Sequence, residues 1–249
     1  MRIAYLFVAA ALAACGSSGS SSSAIPSNVK GGPRGPAPKI SWETAEEHDR
    51  HFGYATFPYV SRDGTTVIIA QHDGDGGRGY QNLRFIVKNR QDRQVAEHVV
   101  LTADEYEEGE NAETNGALIP TRVQTANAWL VAQHDKYDLV ALPKMTVEEG
   151  ESYGESRRAN NPANSTTVEL GEKDLRIAKG AATLVSTKIP KDWFAPEQKL
   201  CTDCEPCSNP HFLRAAAVDP DRAIAVVTVA YTGTDSCWEP SDQQRVVSW

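Results

Sequence analysis

From residue 57 the chain alternates β-branched apolar runs with turn signals. Thr66 to Gln71, Leu83 to Lys88 and Val95 to Leu101 read as strands; Arg62-Asp63-Gly64 and the Gly-rich stretch Asp73 to Gly79 read as turns between them. The pattern predicts an antiparallel meander over residues 57–101. Apolar residues then recur at helical spacing, at Ile119, Val123, Ala126 and Leu130, and Pro120-Thr121 suits a helix start, so a helix is predicted from Thr121 to His134 with its stripe on the sheet. Leu139 to Val147, Thr166 to Leu170, Leu175 to Ala178 and Thr183 to Lys188 are predicted strands, and Glu148 to Ser165 is a polar, Asn-rich loop. Ala223 to Tyr231 is a further strand, with Arg245 to Trp249 as its closing partner. The expected fold class is α+β: mainly antiparallel β, meander or sandwich-like, with one or two helices packed on it, in a single domain over residues 40–249.

The N-terminus has a different texture. After Arg2 an uninterrupted apolar run, Ile3 to Ala14, is too short to span a bilayer and suits the apolar core of an export signal. It ends in Leu12-Ala13-Ala14-Cys15, which closely resembles the lipobox of bacterial lipoproteins. The resemblance implies a signal peptide at 1–14 and a mature protein that begins at a lipidated, palmitate-type Cys15, with Gly16 directing it to the outer membrane. Each buried acyl methylene would contribute about 0.8 kcal/mol to anchoring. Residues 16–39 hold Gly, Ser or Pro at 16 of 24 positions, so 15–39 is expected to be a disordered tether reaching about 25–30 Å.

Pro58, Ser61, Asp63, Gly64 and Thr66 to Ala70 together resemble the repeat of TolB-type β-propellers. The resemblance covers residues 57–71 and has one partial echo, residues 212–234, where Asp219-Pro220-Asp221-Arg222 replaces the turn. Two units imply an internal duplication within one β-rich domain, since a propeller needs more blades at a regular period.

Composition narrows the function classes. With 25 Lys plus Arg against 33 Asp plus Glu, net charge −8, the chain has no basic footprint for nucleic acid. The partners expected are the membrane, through the anchor, and an envelope protein or cell-wall component.

Candidate chemistry is sparse. Gly150-Glu151-Ser152-Tyr153-Gly154 matches the G-x-S-x-G nucleophile elbow but lacks the buried strand before it and the apolar helix after it. Asp73 and Asp75 offer two carboxylates for calcium, without the bidentate acid such a loop needs. His48 and His51, three apart, would share a helix face beside Glu46, Glu47 and Asp49, and could hold a divalent metal given a third ligand. The acidic run from Asp104 to Glu113 is better explained by Thr102 and Glu105, which form a capping box at a helix start.

If Cys15 is lipidated, Cys201, Cys204, Cys207 and Cys237 remain, an even number in an oxidising compartment. They are expected to form two disulfides that stabilise the C-terminal part, one joining the cluster to Cys237; three pairings are possible. The rivals are a zinc site of these cysteines with or without His211, and a thiol-redox pair, although Pro206 and Pro210 argue against the helix N-terminus a redox cysteine needs. The sequence therefore points to an outer-membrane lipoprotein whose β-rich extracytoplasmic body has a non-enzymatic binding or envelope-interaction role. No resident cofactor is expected, and the metal-binding or thiol-redox protein is the alternative.

Overall fold

The computed structural model describes residues 34–44, 50–72, 81–108, 112–150, 156–193, 211–231 and 241–249. Two short antiparallel strands, β1 (Ser41–Thr44) and β2 (Arg50–Gly53), come first. A meander follows: β3 (Tyr59–Ser61), β4 (Thr66–Gln71), β5 (Leu83–Asn89) and β6 (Gln94–Leu101). The β3–β4 turn is fixed by its own side chains. Ser61 Oγ accepts from the Thr65 and Thr66 amides at 3.0 and 2.9 Å, and Asp63 Oδ1 accepts from the Thr65 amide and hydroxyl at 3.0 and 2.8 Å. Gly64 supplies the positive φ of 71° that the turn requires.

Helix α1 (Ala103–Glu108) opens on the expected capping box: Thr102 Oγ1 accepts from the Glu105 amide at 3.1 Å and Glu105 Oε2 accepts from the Thr102 amide at 3.0 Å. Helix α2 spans Ala112–Tyr137, longer at both ends than the predicted 121–134, and runs through Pro120. A mid-helix proline removes one backbone bond and costs about 3 kcal/mol. Burial of Ile119, Ala126 and Leu130 on one stripe offsets it, at about 1.5–3 kcal/mol for each large side chain. Asp138, in the left-handed region at φ 48°, ends the helix, its amide bonding His134 O at 2.9 Å.

The strand expected over 139–147 is divided. β7 (Leu139–Ala141) completes the first sheet, in the order β6-β5-β4-β3-β7, and β8 (Thr146–Val147) joins another. Between them the backbone bonds to Pro58 O and then to Ala216 O, so the segment passes from one sheet to the next. The expected polar loop contains β9 (Arg158–Asn161), which pairs with β8 and with β10 (Thr166–Leu170); β11 (Asp174–Lys179) and β12 (Ala182–Lys188) finish this outer sheet. β13 (His211–Asp219), β14 (Ile224–Tyr231) and β15 (Gln243–Ser248) form a three-stranded middle sheet, with the C-terminal strand on β14 as expected.

The middle sheet explains why β14 is apolar at every position but Thr228, because both of its faces are covered. Ile224 and Val226 join Val60, Val67, Ile69 and Ile86 of the first sheet. Ala225, Val227, Val229 and Tyr231 join Val168, Leu170, Leu175 and Ile177 of the outer sheet. On its other face the first sheet packs Ile68, Phe85 and Val87 against α2 and against Ile40 and Phe52. The layers are thus helix, sheet, sheet, sheet, which is α+β with a dominant antiparallel β content.

The two units read as a duplication are the β3–β4 and β13–β14 hairpins. Their strands share an apolar cluster, and their turns meet where Arg222 Nε donates to Arg62 O at 3.2 Å. Residues 34–40, expected in part to belong to the tether, lie along α2. Arg34 Nε donates to His134 Nε2 at 3.1 Å, and Asn127 grips the Ile40 amide and carbonyl at 2.8 and 3.0 Å, so residues 34–40 are held on α2.

Candidate functional site

A β-bulge creates a chemically varied surface. β13 is in register on β14 at Leu213 with Val229, but Ala215 faces Thr228, so Arg214 is an extra residue. Leu213 and Ala216 both enter the core against the outer sheet. Arg214 and Ala215 are displaced between them and line a cavity of about 460 Å³ between the first and middle sheets. Other walls come from the loop after β2 (Tyr54, Phe57), the end of β4 (Ala70, His72), the crossing segment (Lys144, Met145) and the start of β15 (Asp242, Gln244).

Each polar group has a defined setting. Arg214 Nε lies 3.1 Å from Asp242 Oδ2, and its guanidinium stands 5.6 Å from the centroid of the Phe212 ring. Lys144 Nζ donates to Ala55 O, and burial pulls its ammonium below the usual lysine range. Burial, followed by the Asp242 charge, pushes the Tyr54 phenol up, which keeps it a protonated donor at neutral pH. The rings of Tyr54 and His72 are 4.9 Å apart. Gln244 Nε2 closes the wall by donating to Ala70 O at 2.6 Å.

One wall is stiffened from behind. Phe57, which lines the cavity, stacks on Phe85 at 5.2 Å; Phe85 stacks on Trp129 at 5.7 Å, and Trp129 on His98 at 4.8 Å. Aromatic pairs of this kind add about 0.5–1.5 kcal/mol each beyond burial.

The residues singled out from the sequence do not converge here. His51 sits on strand β2, its Nε2 3.9 Å from Glu43 Oε2 on β1, so the expected helix face with His48 does not form at that residue; an extended strand sends successive side chains to opposite faces. His211 begins β13, with Nε2 3.3 Å from Gly171 O, and burial depresses its imidazole pKa. His48, Asp73, Asp75, Ser152, Cys15, Cys201, Cys204, Cys207 and Cys237 lie outside the described residues. Among the described residues, no three His, Cys, Asp or Glu gather as metal ligands.

The cavity residues Tyr54, Lys144, Arg214 and Asp242 carried no motif. The one sequence signal is the lone Arg214 within the apolar run Phe212 to Val218, where a charge interrupts a strand buried on both sides. The chain matches no protein family, no curated protein and no solved structure.

Proposed function

We propose that this chain is an outer-membrane lipoprotein, anchored through Cys15, whose β-rich body binds a small ligand without transforming it. The observation that carries the binding role is the cavity itself. Its volume of about 460 Å³ falls within the roughly 300–1,000 Å³ usual for small-molecule sites, and it combines an apolar lining with a few fixed polar groups. The anchor rests on Leu12-Ala13-Ala14-Cys15, and among the described residues no helix is long and apolar enough to cross a membrane.

The two-disulfide arrangement belongs to the same proposal. His211 and Tyr231 are cross-strand partners, and Cys207 precedes the first by four residues while Cys237 follows the second by six. A link from the cluster to Cys237 would close a loop of roughly 30 residues and contribute about 3–4 kcal/mol.

The test has three readouts. Cys15→Ser should release the protein from the membrane fraction. Non-reducing mass spectrometry should find two disulfides, whereas four free thiols with bound metal would replace this architecture by the zinc or redox alternative. Ala215→Trp, filling the cavity from an exposed position in the bulge, should abolish ligand-induced thermal stabilisation in a screen of small amphiphiles; unchanged stabilisation would remove the cavity from the reading.

A further inference from the structure

Among the described residues that line the cavity the charges do not balance, and the imbalance has a direction. Arg214 and Asp242 neutralise each other at 3.1 Å. Lys144 is left as the cation, with Ala55 O as its partner. An ammonium carries three N–H donors and a single carbonyl accepts one of them, so donors remain to be satisfied by water or by a ligand. The nearby walls are hydrocarbon: Phe57, Pro58, Ala70, Met145, Val147 and Val226.

We propose that the cavity is a carboxylate site, taking a small amphipathic monocarboxylic acid with its head on Lys144 and its hydrocarbon body against Phe57, Ala70, Met145 and Val226. This rests on the binding role proposed above and names its ligand class. Among the described lining residues Lys144 is the one cation without a carboxylate partner, which matches a monoanion. A phosphate dianion would enter with a surplus negative charge beside Asp242, which lines the same cavity. A cationic amine would meet Lys144 and find the Asp242 carboxylate already held by Arg214. The protonated Tyr54 phenol adds a neutral donor on the same cavity, suited to an anionic oxygen.

Isothermal titration of the full-length protein in detergent separates the possibilities, using hexanoate, hexanol, hexylamine and inorganic phosphate. Hexanoate should bind about tenfold or more tighter than hexanol, the difference expected for a charge-assisted hydrogen bond, and phosphate and hexylamine should not compete with it. Lys144→Met, at an exposed residue, should reduce hexanoate to the affinity of hexanol, and Lys144→Arg should restore most of the difference. Ala215→Trp should abolish binding of both. If hexanol, hexylamine or phosphate binds as well as hexanoate while Ala215→Trp still blocks it, the carboxylate assignment is overturned and the binding cavity stands. If Ala215→Trp leaves hexanoate binding intact, or none of the four binds, both fall.

Discussion

Lys88 Nζ donates to Asp92 Oδ1 at 2.7 Å, and this buried pair joins two sheets. The same ammonium donates to Gln244 O at 2.6 Å, while Asp92 accepts from the Val246 amide at 2.8 Å and from Arg245 Nη1 at 3.4 Å. Lys88 is only 7% exposed. Burial pulls its pKa down and the Asp92 hydrogen bond opposes the shift. One carboxylate in the β5–β6 turn, held at φ 59°, thus fixes the edge strand of the middle sheet.

The two partners should therefore be unequal on mutation. Asp92→Ala leaves a buried ammonium without its counter-charge and is expected to cost about 3–5 kcal/mol. Lys88→Met leaves Asp92 with Arg245 and the Val246 amide, and should cost only about 1–3 kcal/mol. Urea unfolding of both single variants and the double variant measures the asymmetry. Equal losses would contradict the asymmetry, and strict additivity in the double variant would show that the pair is not coupled.

Arg90 should be irreplaceable by lysine. Its guanidinium donates to Gly64 O at 3.2 Å, Arg222 O at 3.1 Å, Ala223 O at 3.1 Å and Trp249 O at 3.3 Å. These carbonyls belong to the two hairpin turns and the C-terminal residue, and only a planar fork spans them. Arg90→Lys is expected to cost about 2–4 kcal/mol and to raise amide exchange at both turns together. Loss of protection at one turn alone would contradict a shared clamp.

What the sequence disclosed, and what it hid, follows from range. The β3–β4 hairpin was readable because Ser61, Asp63 and Gly64 make its turn with their own atoms. β14 was readable because burial on both faces leaves a β-branched run that is apolar but for Thr228. The first turns of α2 were missed because Pro120 reads locally as a start signal, whereas packing of Ile119 and its neighbours carries the helix through it. β1, β2 and β9 were missed because polar runs such as Arg158-Ala159-Asn160-Asn161 take their strand form from pairing partners, not from their own propensity. The cavity was hidden for the same reason. Tyr54, Lys144, Arg214 and Asp242 come from four separate segments, and only the packing of two sheets brings them together.

Asn127 should control how the chain before β1 is held. Its side chain makes both hydrogen bonds of the Ile40 peptide groups, like a neighbouring strand, at 2.8 and 3.0 Å. Asn127→Ala is expected to cost about 1–2 kcal/mol and to expose Arg34 and Lys39 to trypsin. Faster limited proteolysis at these two sites, with the rest of the chain still resistant, would show local release of residues 34–40. Unchanged cleavage would mean that Ile40, 1% exposed against α2 and its neighbours, holds the segment by burial alone.

Acidification should destabilise the fold before its carboxylates titrate. Burial lowers the pKa of His98, with the Arg122 charge acting in the same direction. Burial also lowers His211, where the Arg157 charge adds to the shift and Gly171 O and Glu172 oppose it. As pH falls through the ordinary imidazole value of 6.5, the unfolded chain takes up these protons first. Stability is therefore lost from that value down to the depressed folded values. The contribution of Asp138, whose pKa is lowered first by its Arg62 hydrogen bond, is lost only in the more acidic carboxylate range. His98→Phe keeps a ring against Trp129, which lies 4.8 Å from His98, and removes one titrating group. It should flatten the fall in urea midpoint between neutrality and about pH 5. A profile that superimposes on that of the parent protein would place the acid sensitivity elsewhere.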